Sequence, residues 1–393
     1  MSIKRSLARL AQTTPRQLDV ASVRGALPGQ RRDTEHGELH LIDEYLEPHH
    51  HHGRAPIAEA LSVSTERLAQ LALDPSLEHV DLQRALFLDT ETTGLAGGTG
   101  TVPFLIGIGW FEDESMRIQQ LFLPELGCEA PMLHWLCARV QASSCVVSFN
   151  GKAFDWPLLR SRFVLNRVRA PVLPPHLDLL HCARRVLRTR LKSVRLVELE
   201  RQLLGMYRED DVSGALIPQL YFDYLDGGDI SPIAKVIEHN ANDLIALAAL
   251  MGKLVGHFDQ VHDADDPLDH LAYAKVAERT GDRWRARSFA DAAARGGGQS
   301  ACTVEACMLN ARMARRVGEV DDEERALLLA LQAADDDDEL RAHVQLALAK
   351  HYEHRGKDLS RALEHAAGTI LAEGEDAAER RVTRLQRRLA RRG

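Results

Sequence analysis

Two acids one residue apart close the apolar run LFLDTET, residues 86–92. On an extended segment the side chains at i and i+2 point the same way, so the carboxylates of Asp89 and Glu91 can converge at the strand's end. Carboxylates at contact distance repel and raise each other's pKa unless a cation lies between them. Hard divalent ions, Mg²⁺ or Mn²⁺, suit such oxygens and leave positions open for water and phosphate. For this pair alone, a strand end with ordinary surface acids is an equal reading. Two distant acids shift the balance. Asp155, in SFNGKAFDWPLL, follows a strand and a glycine turn at the opening of a helix. Asp243, in EHNANDLIAL, follows His239 by four residues on one helix face. It lies among Ala, Leu and Ile, where an acid calls for a partner or a metal.

The loop behind DTET is glycine-rich, yet it is no nucleotide cradle. A phosphate-binding loop needs GxxxxGK followed by Ser or Thr, and no lysine lies between Gly94 and Phe104. The dinucleotide pattern GxGxxG fails as well, because Pro103 stands where its third glycine belongs. Without Cβ atoms, the backbone from Gly94 to Gly100 can pass close to a sugar-phosphate strand. A tight loop with no ligand is the alternative.

These residues need a scaffold. Short apolar strands are expected at ALFLD, FLIGIGWF and MRIQQLFL, a helix over EAPMLHWLCARVQ, then a strand at SCVVSF. Helices follow at FDWPLLRSRFVL, LDLLHCARRVL and VRLVELERQLLG, and a long one starts at SPIAKV with Ser231 as cap and Pro232 in its first turn. Three strands in succession, then helix, strand and helices, predict a mixed central sheet flanked by helices. This α/β region spans 81–258. Residues 1–80 form an N-terminal extension, partly irregular, in which His49 to His52 read as a solvated loop.

Beyond DADDPLD the chain turns alanine-rich and helical, over 266–393. Gly281, Gly318 and Gly356 recur 37 and 38 residues apart, each between two helical stretches and each followed by alanine at 286, 326 and 362. This is similar to tetratricopeptide helical hairpins, with a plain helical bundle as the alternative. The acidic DDDDE at 335–339 and the basic tail RRVTRLQRRLARRG are docking surfaces or solvated faces.

Bulk properties bound the function. The 393 residues are 45% hydrophobic and 27% charged, with a formal charge of −8, so the chain is globular and not basic overall. Six cysteines form no CxxC pair, which suggests neither a zinc ribbon nor a disulfide framework, and reads as thiols in a reducing cytosol. No apolar stretch approaches a membrane span, and a cytoplasmic location is expected. Charge is nevertheless uneven. Between 160 and 195 stand ten Lys or Arg against one acid, Asp178, the kind of stripe that tracks a phosphate backbone. Asp178 itself reads as structural, a helix cap at a strand end.

DTET after a strand, FNGKAFDWPLL in the middle and a His shortly before a final Asp resemble the three motifs of the DEDD exonucleases. The run from LFLDTETTGLAGGTGT through HLDLLHCARRVL and LERQLLG to VIEHNANDLIAL resembles more closely the YprB-type ribonuclease H-like family. The resemblance covers about 84–256, and helical repeats behind it fit the same family. It implies a ribonuclease H-like fold and a 3′–5′ exonuclease that hydrolyses phosphodiesters with two Mg²⁺ or Mn²⁺ ions. On that reading Asp89 bridges the ions, Glu91 and Asp243 complete one site, Asp155 holds the second, and His239 is the general base. The spacing departs from the family: His239 stands four residues before Asp243, as the tyrosine does in one DEDD subclass, whereas histidine stands five before in the other. One residue turns a helical side chain by ~100°.

Thr92, Gly98, Thr99, Asn150, Lys152, Arg184, Arg185 and Arg188 are the expected nucleic-acid contacts. Single-stranded DNA in a repair setting is the preferred substrate, with a helicase as a possible protein partner through the helical repeats. An exoribonuclease of the same fold, or a scaffold that works through the repeats, is the alternative.

Overall fold

The computed structural model describes residues 27–94, 100–262, 265–297, 300–334 and 337–391. In chain order the strands are β1 Gln30–Thr34, β2 Gly37–Leu46, β3 His51–His52, β4 Ala55–Pro56, β5 Ala85–Thr92, β6 Pro103–Glu112, β7 Ser115–Phe122, β8 Cys145–Ser148 and β9 His176–Asp178. Seven of them form one mixed sheet in the order β1-β2-β7-β6-β5-β8-β9, and β3 with β4 makes a separate small ribbon. Neighbours run antiparallel from β1 to β5, whereas β8 and β9 run parallel to β5.

Helices cover both faces, which is why β5 begins as an unbroken apolar run. Phe87 packs into one core with Met116, Ile118 and Leu244. Leu86 and Leu88 enter the other with Ile106, Leu136 and Phe163. The first half of β5 is fully buried and the second half, from Asp89 on, is partly open. The sheet's closed and working regions are therefore already distinct along one strand.

The N-terminal stretch, expected to be a partly irregular extension, contributes β1 and β2 to this same sheet, with His40 opposite Phe122. Leu39 and Leu41 are buried there. Its weak pattern follows from its place, because β1 is an exposed polar edge strand, QRRDT. The expectation of Ser231 as the cap is corrected, because the cap position falls on Ile230, whose side chain has no group to accept a hydrogen bond. Ser231 already lies inside helix Ser231–Asp259, and Asp229 accepts hydrogen bonds from its backbone N–H (3.2 Å) and its hydroxyl (3.1 Å).

Beyond this helix the described chain is helical. Gly281 (φ +83°) joins Pro267–Thr280 to Arg283–Arg295, and Gly318 (φ +87°) joins Ser300–Val317 to Val320–Ala333. Both take the left-handed backbone that suits glycine at a helix end. Gly356 lies between Asp338–His354 and Leu359–Ala366. Phe258, Tyr273 and Phe289 share one core with the sheet's helices, so the boundary near 258–266 is bridged by packing. The two surfaces expected for docking are partly used internally. Asp337 caps helix Asp338–His354, while Asp335 and Asp336 lie outside the described residues. Arg384 and Arg388 both bond Glu353, at 2.7 Å each for their closest contacts. Among the described residues no helix is long and apolar enough to cross a membrane.

Candidate active site

The parallel strands β5, β8 and β9 end at one edge of the sheet, where open α/β folds place their ligand crevices. Asp89 and Glu91 lie on the open half of β5. After β8 the chain turns sharply through Asn150, whose φ is +69°. Buried Asp178, at the end of β9, holds that turn by accepting N–H bonds from Asn150 (2.8 Å) and Lys152 (3.1 Å). It also caps the following helix through Leu180 N–H (3.1 Å). A Cβ on Gly151 would stand 2.3 Å from Ser148 Oγ, so only glycine fits between β8 and the helix carrying Asp155. Asp155 opens that helix, buried, and accepts a 2.5 Å hydrogen bond from Thr90 Oγ1.

Helix Ser231–Asp259 lies across the sheet and brings three polar side chains to this edge. Asn240 is fully buried and donates to Asp89 Oδ2 at 2.7 Å. Its carbonyl oxygen accepts from Gln120 Nε2 at 2.9 Å, and the same Gln120 amide donates to Ile237 O at 2.7 Å. Asp89, Gly107 and Gln120 stand side by side across β5, β6 and β7. A Cβ on Gly107 would meet Asn240 Oδ1 at 2.1 Å, so glycine at this position makes the room for the amide.

Four-residue spacing does bring His239 to the acids. Its Nε2 lies 3.9 Å from Glu91 Oε1 and 3.8 Å from Asp243 Oδ2. Its Nδ1 pairs with Asp211 Oδ1 at 2.7 Å, which fixes the ring's orientation. The ligand atoms of Glu91, His239 and Asp243 all lie within 4.8 Å of one another.

The electrostatics are those of a site short of positive charge. Burial pushes the Asp89 carboxyl well above its ordinary range, and the charges of Asp243 and Asp155 add to this; Asn240 and Arg208 pull the other way. Glu91 is raised well above its range too, by burial and then by Asp89, Asp243, Asp155 and Asp211. Asp155 is pushed up to about 6, mainly by burial and against the Thr90 hydrogen bond. Asp243 is raised by burial, against the opposing charge of Arg208. Asp211 stays below its usual range: burial alone would raise it, and the His239 bond and Arg208 outweigh that. A divalent ion would replace this mutual repulsion with coordination by the carboxylate oxygens, the donor type that hard divalent ions take, and would leave the His239 ring free beside them. The residues present fit a Mg²⁺ or Mn²⁺ centre.

The expected nucleic-acid contacts divide. Gly98 and Thr99 lie outside the described residues. Gly100, at the loop's end, has open space where a Cβ would stand, so no protein atom requires glycine there. Thr92 donates to Gly94 O at 2.8 Å, and exposed Lys152 stands 3.7 Å from Asp74. Arg184 and Arg188 are exposed on or just beyond helix Leu179–Leu187. Arg185 instead turns inward and donates to Leu71 O at 2.5 Å. Of the basic stripe, Arg162 pairs with Glu129 and Arg190 with Asp269, whereas Arg160, Arg167, Arg169, Lys192 and Arg195 are exposed like Arg184 and Arg188.

Several residues at the site carry no signal in the sequence. Arg208 and Asp211 come from YREDDV, a stretch without periodicity, so no pattern marks them. Asn240 leaves a trace, as a polar residue on the apolar face of a helix, where a buried amide needs partners. The solvated loop expected over the histidine run is corrected at His52. The ribbon β3-β4 folds inward, leaving His52 2% exposed and 2.6 Å from Glu200 Oε1.

Comparison with known proteins gives two findings. Residues 86–255 match the family profile of the RNase_H superfamily. The chain is also 30% identical over 370 residues to the "Uncharacterized protein YprB" of Bacillus subtilis (strain 168), covering 90% of this chain and 86% of that protein.

Proposed function

This chain belongs to the family of YprB and carries an RNase_H superfamily domain, a nuclease fold, and on that premise we propose that it is a metal-dependent 3′–5′ exonuclease acting on single-stranded DNA. The observation that carries the reading is the convergence of Glu91, His239 and Asp243 beside half-buried Asp89, with Asp155 close enough to raise the pKa of both β5 acids. An acid cluster that disfavours its own ionisation is a poor way to stabilise a fold and a good way to bind divalent ions.

Asp89, Glu91, Asp243 and Asp155 would hold two Mg²⁺ or Mn²⁺ ions. When bound, such ions lower the pKa of an attacking water and neutralise the leaving oxygen of a phosphodiester. His239 presents Nε2 to the cluster, and Asp211 on Nδ1 supports the positive charge the ring gains when it accepts a proton from that water. Asn240 holds the Asp89 carboxylate in one rotamer through its 2.7 Å bond. The exposed arginines, Arg184 and Arg188 among them, supply the charge that draws in a phosphate backbone. The helical hairpins beyond residue 266 would offer a partner surface for a helicase that delivers single strands.

The test is direct. The protein is incubated with 3′- or 5′-labelled single-stranded DNA or RNA in Mg²⁺, Mn²⁺ or EDTA. Mononucleotide release from the 3′ end of DNA, absent in EDTA and in Asp89→Ala and Asp243→Ala, is the expected result. Cleavage that survives EDTA or both substitutions overturns the metal mechanism. Preference for RNA would make the enzyme an exoribonuclease.

A further inference from the structure

We propose that Arg208 is a positioning residue for the acid cluster and that Glu200 and His52 hold it in place; this deepens the nuclease reading above and rests on it. The Arg208 side chain is only 3% exposed and touches four groups. Nη2 donates to Asp243 Oδ1 at 2.6 Å and to Glu200 Oε1 at 2.9 Å. Nε donates to Glu200 Oε1 at 3.1 Å, and Nη1 lies 3.4 Å from both Asp211 Oδ2 and His239 Nδ1.

Two side chains of the site thereby acquire one orientation each. With Oδ1 of Asp243 engaged by the guanidinium, Oδ2 is the oxygen that faces His239 Nε2, at 3.8 Å. Asp211, reached by the other terminal nitrogen, pairs with His239 Nδ1 at 2.7 Å, so Nε2 is left to the cluster. A planar fork can serve two acids at fixed angles, whereas an ammonium supplies charge without that geometry.

The fork has its own support. Glu200 Oε1 accepts from Arg208 and stands 2.6 Å from His52 Nε2, while its Oε2 is buried without a hydrogen bond. Arg54 N–H donates to Leu204 O at 2.7 Å, fastening the ribbon that carries His52 to the helical turn that carries Glu200. A Cβ on Gly53 would come within 2.3 Å of Leu204 O, so the ribbon can approach only with glycine there. The histidine run thus reaches the site through Glu200 and Arg208, although His52 and Glu200 are 148 positions apart in the chain.

Charge and position predict opposite signs. A cation beside Asp243 repels a divalent ion, so an Arg208 that served only as counter-charge would, once removed, leave a tighter metal site. An Arg208 that positions Asp243 leaves a weaker one. Mn²⁺ titrations followed by electron paramagnetic resonance would compare the full chain with Arg208→Lys, Arg208→Met, Glu200→Ala and Glu200→Gln. Far-UV circular dichroism of each metal-free protein checks the fold. Both Arg208 variants are expected to lose about 10- to 100-fold in affinity at one site, the range for groups that orient metal ligands. Glu200→Gln, which keeps the accepting Oε1, should bind more tightly than Glu200→Ala. If Arg208→Met does not fold, Arg208→Lys decides, since it retains the buried charge. Mn²⁺ affinity unchanged or raised in the folded Arg208 variants overturns the positioning role. A wild-type chain that binds no Mn²⁺ overturns the nuclease reading itself, and positioning with it.

Discussion

Asn240 and Asp89 are 151 positions apart and joined by a 2.7 Å hydrogen bond that only a glycine at 107 permits. The amide occupies the space a Cβ on Gly107 would need, and Gln120 fixes it from the other side. Gly107→Ala should therefore push Asn240 off Asp89. We expect a stability loss of about 1–3 kcal/mol, as for overpacked cores, measured by urea unfolding. Activity should fall with it. Adding Asn240→Ala should restore much of the stability and none of the activity, which distinguishes crowding from loss of the bond.

Asp89→Asn removes a half-buried negative charge and keeps an oxygen that can accept from Asn240. The metal-free variant should melt at a higher temperature than the wild type, because the cost of desolvating the charge is removed and repulsion with Asp243 and Asp155 is relieved. Nuclease activity should fall by about 10³-fold or more, the scale seen when a preorganised charge at a reacting centre is removed. A less stable metal-free variant would show that neither burial of the charge nor repulsion with Asp243 and Asp155 costs the folded chain stability.

The acids also make metal stabilisation depend on pH. Asp155 has a folded pKa of about 6, above its unfolded value, so its contribution is fully present below the unfolded pKa and lost as pH rises through 6. Asp89, Glu91 and Asp243 are shifted in the same direction. Buried His176, lowered to about 4, works oppositely: the unfolded ring takes a proton first, and stability falls as pH drops below its ordinary value. The rise in melting temperature on adding Mn²⁺ cancels the His176 effect and isolates the acids. Scanning calorimetry should find that rise larger at pH 7.5 than at pH 5.5. An equal rise at both values would contradict the shifts.

Arg184 and Arg188 differ from Arg185 in what they face. Replacing Arg184 and Arg188 together by alanine should weaken single-stranded DNA binding and flatten its salt dependence by ~0.7 for each phosphate no longer neutralised. Arg185→Ala removes a bond to Leu71 O and should lower the melting temperature instead, with the salt slope unchanged. Fluorescence anisotropy across a salt series reads the first effect and thermal unfolding the second.

His239→Gln should reduce kcat by about 10²- to 10⁴-fold with little change in KM, as expected for loss of a general base. Asp211→Asn should give a smaller loss, because the ring then keeps its place but loses its charged support. Single-turnover kinetics on a 3′-labelled strand would separate the chemical step from binding.

The sheet and the acids are legible in the chain for a physical reason. A strand buried on both faces must be continuously apolar, so ALFL announces itself, and two acids at its end break the pattern visibly. Helix Ser231–Asp259 shows its apolar face in the same way, which makes Asp243 conspicuous among Ala, Leu and Ile. The glycines at 281 and 318 signal helix ends because the left-handed backbone selects them. What holds the acids is not legible. Arg208, Asp211, Glu200 and His52 meet through a guanidinium fork that spans segments with no common period. Periodicity reports which face of an element is buried, and an ion-pair network between elements leaves no such imprint. Whether His239 reaches the site was likewise decided by the pitch and placement of one helix against β5, because spacing alone sets an angle about the helix axis and not a distance to the acids.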